Sequence, residues 1–418
     1  MSSGNGESKV KTKTVLLASN LYRPNIGGIE NSLYHLSLSY QEMGYEVIIF
    51  ASDISPSNDI FPTVSEDGGA RVYRYTVSKY SGLYRYIKHW INGTKLLVQI
   101  RKTHAPILVI SRYHLICVML KLADYKNYIY LVPGVVKNQN SGENLTISGS
   151  FAWRFAKSLE YKFNDFLQRR ALSKATRIGV FSNHMRHQIE EVDRRFEAKI
   201  FECKPGVDVE RFFPLATTDK FPLPTANKRD ALIQAPSDSK PFVVLCVGRF
   251  VKAKGFEYVI RSLQYIDGAE LWLLGDGPDS GKYKELIAQL SLGGKVKLLN
   301  ATPRPEEIYR LADCFVMSSV YEPFGQTIIE ALASGLPIIA FDSNIEGVTT
   351  ATSEFLTDEN VMWVKSVEAS AIAEKITTLQ KLSNEQISKI CQKNRDKAIE
   401  CFTWNSLANA LEDQNKLE

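Results

Sequence analysis

The chain has 418 residues, of which 44% are hydrophobic and 23% are charged, as in soluble globular proteins. It is too long for one ordinary domain and has no run of about eighteen apolar residues, so we expect two domains and no membrane-spanning helix. Positive charge is concentrated in the first half, where residues 1–200 hold 27 Lys and Arg against 16 Asp and Glu, while the remainder holds 24 against 30.

The first 210 residues alternate between strand-like and helical stretches. Residues 1–13 are polar without an apolar core, so we expect a disordered arm there rather than a signal peptide. Helical spacing over about 29–43 separates the first two strands, and Gly44 caps that helix. The predicted strands are TVLLAS (14–19), YEVIIFAS (45–52), PILVIS (106–111), YIYLV (128–132), TRIGVFS (176–182) and KIFEC (199–203). This rhythm predicts a parallel, doubly wound α/β domain over 14–210.

The pattern stops over 211–240, which is rich in proline and polar residues and is predicted to be a linker. It resumes in a second α/β domain over 241–401, and the final helix, 402–418, is expected to return to the first domain. The predicted strands are FVVLCVG (242–248), AELWLLG (269–275), KVKLL (295–299), DCFVMSS (313–319) and LPIIAF (336–341). Two such sheets leave a cleft, and ligands of open α/β sheets bind beyond the carboxyl ends of the strands.

Two loops at such strand ends could bind phosphate. Gly27 and Gly28 stand at the start of the first helix, where a ligand could approach the backbone closely; a plain tight turn is the alternative. Arg249 and Lys254 follow the first strand of the second domain and could clamp a diphosphate; the alternative is a solvated basic loop. The segment LLGDGPDSGKY (273–283) has the spacing G-x-G-x-x-x-G, which favours a strand-to-helix turn over a dinucleotide site.

The stretch YEPFGQTIIEALASGLPIIAF (321–341) contains two glutamates eight positions apart. Glu322 lies in a loop and Glu330 on an otherwise apolar helix, where an unpaired charge would be costly. Carboxylates accept hydrogen bonds from sugar hydroxyls, and the N–H groups at a helix start can hold phosphate or sugar oxygens. Glu330 on a solvated helix face is the alternative.

The pattern E-P-F-G-x-x-x-x-E-A-x-A-x-G-x-P, carried by Glu322 to Pro337, resembles the signature of the glycogen-synthase-like nucleotide-sugar glycosyltransferases of family 4. Other segments agree in order: NIGGIE, KPGVDVERFFP (204–214), GRFVKAKGF, LLGDGP and FTW (402–404). The resemblance covers nearly the whole chain. It implies the GT-B fold, two Rossmann-like domains facing a cleft, and a retaining, metal-independent hexosyltransferase that uses a UDP- or GDP-sugar.

The resemblance also implies roles for single residues. Arg249 and Lys254 would neutralise the leaving diphosphate, and Glu322 would contact the sugar near the reacting centre, making these three the catalytic set. Glu330 would hold the ribose hydroxyls, and the loop 300–302 would flank the base. The remaining donor-binding positions are Gly27, Gly28, Phe324, Gly325, Gln326 and Thr327.

Acceptor-side positions are less well defined. Many relatives carry a histidine after the strand that here is YIYLV, whereas Pro133 and Gly134 follow it in this chain. Arg112 or His114 could serve instead; a packed histidine is the alternative. No D-x-D motif or His/Asp/Glu cluster with ligand spacing occurs, and the six cysteines form no C-x-x-C pair. We therefore expect no metal and no cofactor, and we expect Arg249 and Lys254 to supply the positive charge that a metal ion would otherwise provide.

Partners are suggested by the segment 71–104, which holds eight Lys and Arg, six Tyr and Trp, and no Asp or Glu. Basic residues interleaved with aromatics suit an anionic membrane surface, and residues 151–170 continue the pattern. We expect a cytoplasmic enzyme, peripheral on the membrane, with a glycan or lipid-linked acceptor and no nucleic-acid partner; a basic pocket for a soluble acceptor is the alternative. Two other function classes stay open: a GT-B sugar-nucleotide hydrolase or epimerase, and a non-catalytic sugar-nucleotide-binding protein.

Overall fold

The computed structural model describes residues 13–25, 27–55, 61–135, 151–214 and 241–416. The predicted arm, apart from Lys13, and the predicted linker from residue 215 onward lie outside the described residues. The described chain forms two compact units. The first contains the residues up to Val180, Gln188–Cys203 and those from Leu407 onward, and the second contains Phe181–His187 and Lys204–Ser406.

The structural boundary after Cys203 lies a few residues before the predicted one at 210. Its physical cause is local: the Val207 amide donates to the Phe402 carbonyl at 2.8 Å, and Gly206 packs directly on Trp404. These contacts hold the segment that follows the last strand of the first unit against elements of the second.

The described part of the first unit contains an eight-stranded sheet in the order β3-β4-β2-β1-β5-β6-β7-β8. Its pairs are parallel except β3 with β4. β1 is buried along its whole length, which explains its unbroken apolar run. The strands are β1 (Thr14–Ala18), β2 (Glu46–Ser52), β3 (Val64–Asp67), β4 (Ala70–Tyr75), β5 (Leu108–Ser111), β6 (Ile129–Leu131), β7 (Arg177–Val180) and β8 (Ile200–Glu202).

Helices cover this sheet, and the C-terminal helix returns to it. The hydroxyl of Tyr40 donates to the Ala408 carbonyl at 3.1 Å, and that of Tyr45 donates to Glu412 at 2.7 Å. The helices up to residue 192 are α1 (Gly28–Glu42), α2 (Gly82–His104), α3 (His114–Leu122), α4 (Phe151–Lys174) and α5 (Asn183–Val192).

The second unit contains, among its described residues, a six-stranded parallel sheet in the order β11-β10-β9-β12-β14-β16 and a small parallel pair, β13 with β15. The strands are β9 (Phe242–Val247), β10 (Ala269–Leu274), β11 (Val296–Leu299), β12 (Cys314–Met317), β13 (Tyr321–Glu322), β14 (Ile338–Phe341), β15 (Thr349–Thr350) and β16 (Val361–Val364). The helices from residue 256 onward are α6 (Phe256–Ser262), α7 (Ser280–Gln289), α8 (Pro305–Tyr309), α9 (Gln326–Ala333), α10 (Thr352–Phe355), α11 (Ala369–Gln380), α12 (Asn384–Cys401) and α13 (Trp404–Lys416). All of them lie in the second unit except α13, which belongs to the first unit from Leu407 onward.

The prediction of an α/β protein with two parallel-sheet domains is confirmed. Each predicted strand is present with ends that differ by no more than two residues. The hairpin β3–β4, the pair β13–β15 and β16 were not predicted. β3 and β16 are edge strands, β4 lies next to the edge between β3 and β2, and β13 and β15 lie outside the main sheets.

Candidate active site

The loops after two adjacent strands of the second unit, β9 and β12, form the centre of the site. Arg249 is exposed just beyond β9, and Lys254 lies partly buried at the end of a 3-10 turn, Lys252–Lys254. The Val320 amide donates to the Ala253 carbonyl at 2.9 Å, and the Ser318 hydroxyl donates to the Lys254 carbonyl at 2.8 Å. These bonds fix the basic turn against the loop that leads to Glu322.

Gly255 allows this close approach. Its φ of +62° is left-handed, and a Cβ there would lie 2.1 Å from the Ser318 carbonyl oxygen. Backbone cannot yield as a side chain can, so the position accepts only glycine.

We expect Gly255→Ala to lower the free energy of unfolding of the second unit by more than about 2 kcal/mol, from left-handed strain plus the contact with Ser318. Gly268→Ala is the matched control, because Gly268 has a φ of +67° in the same unit with nothing within 4 Å of its Cβ position. Strain alone should cost that variant about 1 kcal/mol. Urea denaturation measures both, and equal losses would contradict the role of the Ser318 contact.

Lys254 and Glu322 form an ion pair between Nζ and Oε2. Their side chains are 18% and 14% exposed, so the pair is shielded from water but still reachable. Glu322 is held by β13, which pairs with β15 while the Ala351 amide donates to the Glu322 carbonyl at 3.1 Å. A cation and a carboxylate, both predicted catalytic residues, therefore meet at the carboxyl end of the sheet.

The loop 323–325 leads from Glu322 into α9. Gly325 has a φ of +98°, and a Cβ there would lie 2.8 Å from the Met317 methyl group. Phe324 is buried and stacks on Phe355 with 4.6 Å between ring centroids, so only its backbone can serve a ligand. The side chain of Gln326 donates to the Gly206 carbonyl at 2.8 Å, which also leaves its backbone N–H as its ligand-binding group.

The first turn of α9 offers further polar groups. The first N–H groups of a helix have no acceptor within that helix. The Thr327 hydroxyl is buried and has no hydrogen-bond partner among the described residues. A buried hydroxyl without a partner is costly, so this group suits a ligand that completes it.

Glu330 lies one turn further along α9, partly buried, with its Oε2 atom 3.0 Å from the Tyr309 hydroxyl. Burial raises the pKa of Glu330 to about 7, and the Tyr309 hydrogen bond opposes this rise. Tyr309 is fully buried and was missed from the sequence. It ends α8, and no local pattern distinguishes it from a core aromatic residue.

Gly27 and Gly28 lie in the first unit, both exposed at the start of α1. A Cβ on Gly27 would lie 2.4 Å from a Glu30 carboxylate oxygen, whereas the Cβ position of Gly28 has nothing within 4 Å. Gly28 therefore leaves open space beside a helix start. The donor-binding role of both glycines stays a prediction.

Arg112 and His114, the acceptor-side predictions, lie in the first unit and are 4% and 6% exposed. The Arg112 amide donates to the Ala18 carbonyl at 2.9 Å, and burial lowers the pKa of the Arg112 guanidinium to about 10. His114 Nε2 is 3.4 Å from Asn164 Oδ1, and burial lowers the pKa of His114 to about 4. His114 is buried, as the alternative of a packed histidine predicts. An acceptor role for either residue stays a prediction.

The glycines of LLGDGPDSGKY serve backbone packing. A Cβ on Gly275 would lie 2.0 Å from the Gly248 carbonyl oxygen, and one on Gly277 would lie 2.5 Å from the Phe250 carbonyl oxygen. The loops after β9 and β10 thus touch through backbone, which fits the predicted strand-to-helix turn.

A separate surface pocket of about 290 Å³ lies between α6 and α7 and includes none of the predicted site residues. Three cationic and three anionic side chains line it, so it carries no excess charge for a diphosphate. In the part of the chain that the structure describes, no group of three or more His, Cys, Asp or Glu is placed to hold a metal ion.

The described site can be compared with known proteins. The family profile "Glycosyltransferase Family 4" matches residues 26–211, and "Glycosyl transferases group 1" matches residues 227–398. Together the two matches span most of the chain, and Arg249, Lys254, Glu322 and Glu330 fall within the second. The chain belongs to glycosyltransferase family 4. Its units are therefore the two Rossmann-like domains of a GT-B glycosyltransferase.

Individual curated relatives match only part of this chain. The lipopolysaccharide core biosynthesis glycosyltransferase LpsE of Rhizobium meliloti is 29% identical over 181 residues, which are 43% of this chain and 51% of LpsE. The chain thus spans about half the length of this curated relative, and less of the next two.

Two solved structures share the fold of this chain. Sucrose-phosphate synthase from Thermosynechococcus elongatus matches with a TM-score of 0.74 and 19% identity, covering 97% of this chain and 99% of that one. HepE from Anabaena, solved in complex with UDP and glucose, matches with a TM-score of 0.69 and 16% identity, covering 97% of this chain and 99% of HepE.

Proposed function

We propose that this protein is a retaining glycosyltransferase that moves a hexosyl unit from a nucleotide-sugar donor to a glycan or lipid-linked acceptor. The observation that carries the proposal is the Lys254–Glu322 pair, in the same unit as the start of α9 and Glu330. Arg249 lies in the loop after β9 that also contains Lys254. Cations for a diphosphate, an acceptor for sugar hydroxyls and a carboxylate for a ribose diol thus occur in one unit.

The cations act on the leaving group. As the bond between the anomeric carbon and the phosphate oxygen breaks, negative charge grows on the diphosphate. Lys254, which Glu322 already holds in place, and Arg249 stabilise that charge, which is the largest kind of contribution a polar site makes to a rate. No metal ion is needed in this proposal, because the two side chains supply the positive charge.

Glu322 prepares the site for the donor. In the free protein its carboxylate neutralises Lys254, so the cation is held in place without a ligand. When the diphosphate engages Lys254, Glu322 is free to accept hydrogen bonds from the sugar, whose hydroxyls also meet the backbone N–H groups of 324–326. Retention follows if the acceptor attacks from the face that the diphosphate leaves.

The choice of substrates is guided by the relatives. HepE was solved with UDP and glucose, and LpsE is named for lipopolysaccharide core biosynthesis. We therefore propose a UDP- or GDP-hexose as donor and an envelope polysaccharide or glycolipid as acceptor, on the cytoplasmic face of the membrane.

The donor site is tested by thermal unfolding with UDP, GDP, ADP, dTDP and CMP in excess EDTA. One nucleotide should raise the melting temperature, since a ligand at about 100 times its Kd stabilises the folded state by about 2.7 kcal/mol. Addition of Mg²⁺ should not increase the shift. If no nucleotide moves the transition with or without Mg²⁺, the proposed donor site is wrong.

A turnover assay separates the function classes. Nucleotide release that requires an added acceptor supports a transferase, and the anomeric configuration of the product, read by NMR, tests retention. Equal release without acceptor would identify a hydrolase, and donor binding without turnover under any acceptor would identify a binding protein.

The membrane proposal rests on a surface of the first unit formed by α2 and α4. Six of its apolar or aromatic side chains are 39% to 55% exposed: Tyr84, Tyr86, Ile87, Ile91, Phe163 and Phe166. Tyr86 and Phe163 touch, with 6.1 Å between ring centroids, which joins the two helices into one surface. Lys88 lies 5.1 Å from the Tyr84 ring centroid, and Arg170 lies 5.9 Å from that of Phe166.

We call these residues the apolar-basic surface, and we propose an anionic lipid bilayer as its partner. Exposed apolar side chains flanked by cations suit the headgroup region, where rings enter the apolar boundary and cations meet lipid phosphates. None of the helices that the structure describes is long and apolar enough to cross a bilayer.

Cosedimentation with phosphatidylcholine vesicles containing anionic phosphatidylglycerol tests this surface. We expect binding that weakens with salt. It should fall at least about tenfold in the double variant Ile87→Ser, Ile91→Ser, because this variant has less apolar area to bury in the bilayer. Leu122→Ser is the matched control, because Leu122 is 62% exposed on α3 of the same unit, outside this surface. Equal binding to neutral vesicles, or equal loss in the control, would contradict the proposal.

A further inference from the structure

Tyr309 is fixed in the core of the second unit. It is fully buried, and its ring packs edge-on against Phe212 and face-on against Phe315, with centroid distances of 5.5 and 5.9 Å. Its hydroxyl lies 3.1 Å from the Thr327 carbonyl oxygen and 3.0 Å from Glu330 Oε2. The position of this hydroxyl is therefore set by packing rather than by its polar neighbours.

The two contacts can both be full hydrogen bonds in only one protonation state. A tyrosine hydroxyl has a single proton, and a carbonyl or an ionised carboxylate can only accept. When Glu330 is ionised, the Tyr309 proton can serve Thr327 or Glu330 but not both. When Glu330 is protonated, its O–H donates to the Tyr309 oxygen while Tyr309 donates to Thr327. The two contacts of the Tyr309 hydroxyl thus suit a neutral Glu330.

The charged groups near Glu330, Glu306 and Arg211, act on its ionisation in opposite directions. Glu306, on the same helix as Tyr309, opposes ionisation of Glu330, while Arg211 favours it. The Arg211 guanidinium is engaged by Glu306, with 2.9 Å between Nε and Oε2. Burial is the largest influence and raises the pKa of Glu330 to about 7.

A bound ribose diol favours the ionised form of Glu330. Its two hydroxyls donate, and an ionised carboxylate accepts both, whereas a protonated carboxyl has lost part of that capacity. We propose that nucleotide binding is coupled to release of the Glu330 proton, with Tyr309 as the positioning residue that holds the carboxyl in both states. This rests on the proposed function. The balance is simple: protonated protein plus nucleotide gives the ionised complex, and the proton passes to the buffer.

Isothermal titration calorimetry with UDP-glucose tests the coupling, since the diester phosphates of this probe do not titrate near neutral pH. Measurements in two buffers that differ in ionisation enthalpy, MES and Bis-Tris at pH 6 and EPPS and Tris at pH 8.5, give the number of protons released. We expect about one proton at pH 6 and about none at pH 8.5, with the Kd weakening nearly tenfold per pH unit below about 7. Glu330→Gln should bind more weakly with no proton release at any pH.

Tyr309→Phe separates positioning from packing. Because the hydroxyl hydrogen-bonds the carboxyl, its loss should shift the midpoint of proton release by about half a unit to one unit. A merely structural role would lower the melting temperature without moving this midpoint, and would overturn the assignment of Tyr309. Binding without proton release would overturn the coupling and leave the proposed donor site intact. No binding of UDP-glucose, with a nucleotide screen that is also negative, would overturn both.

Discussion

Lys254→Ala is expected to lower kcat by a factor of about 10² to 10³, with at most a few-fold change in the Kd of the nucleotide. Lys254 is one of the two cations at the end of β9, and its Nζ atom is already held in place by Glu322. Charge on the leaving diphosphate is larger in the transition state than in the bound donor, so losing a fixed cation affects the rate more than binding. Initial rates with saturating donor and acceptor measure the effect.

Lys252→Ala is the matched control for Lys254, because Lys252 lies exposed on the same 3-10 turn and has no role in the proposed chemistry. It should keep the parental kcat within about twofold. Since Lys254→Ala also leaves Glu322 without its partner, the double variant with Glu322→Gln shows whether an unpaired carboxylate causes the loss. A Lys254 variant with an unchanged kcat and a raised KM would contradict the leaving-group role.

Glu330→Ala is expected to weaken nucleotide binding about 10- to 100-fold, because two ribose hydroxyls lose a charged acceptor. Direct titration with the nucleotide identified by thermal shift measures this. Glu374→Ala is the control, since Glu374 is exposed on α11 of the same unit. Equal affinity in both variants would show that the nucleotide binds away from α9.

The raised pKa of Glu330 also predicts how the free energy of unfolding changes with pH. Its folded-state pKa of about 7 exceeds the ordinary 4.5, so between these values the folded state binds more protons than the unfolded state. The contribution of Glu330 is therefore fully present below about pH 4.5 and is lost as pH rises through 7. Glu330→Gln avoids this loss and should unfold at higher urea at pH 8, by up to about 2 to 3 kcal/mol, but not at pH 4.5. A variant less stable than the parent at pH 8 would contradict it.

The two glutamates of the 321–341 stretch differ in their surroundings rather than in their sequence context. Glu322 has a cationic partner and is ready to act as a carboxylate. Glu330 is surrounded by the core and lies near a second carboxylate, Glu306, so ionisation costs free energy that a ligand must supply. Free protein and complex are thus expected to differ at Glu330 by a proton and at Glu322 by a partner.

Much of the fold could be predicted because strand and helix periodicity is local. Buried parallel strands such as β1 and β9 read as short apolar runs bounded by turn residues, and their ends were located within two residues. The glycine-bounded helix that carries Glu330 was predicted in the same way: Gly325 precedes it and Gly335 follows it. The hairpin β3–β4 and the pair β13–β15 were missed because their sequences, VSED, ARVYRY, YE and TT, contain no continuous apolar run.

The sequence by itself determined the α/β class, the family and the residue types at the carboxyl ends of β9 and β12, because these depend on local order along the chain. Only the tertiary structure decided their partners. Lys254 meets Glu322 across 68 positions, and Tyr309 meets Glu330 across 21, because parallel crossovers bring distant loops to one sheet edge. No local pattern encodes such a meeting, and so the contact of Glu330 with Tyr309, the bond of the Gln326 side chain to Gly206 and the exposed rings of α2 and α4 follow from packing alone.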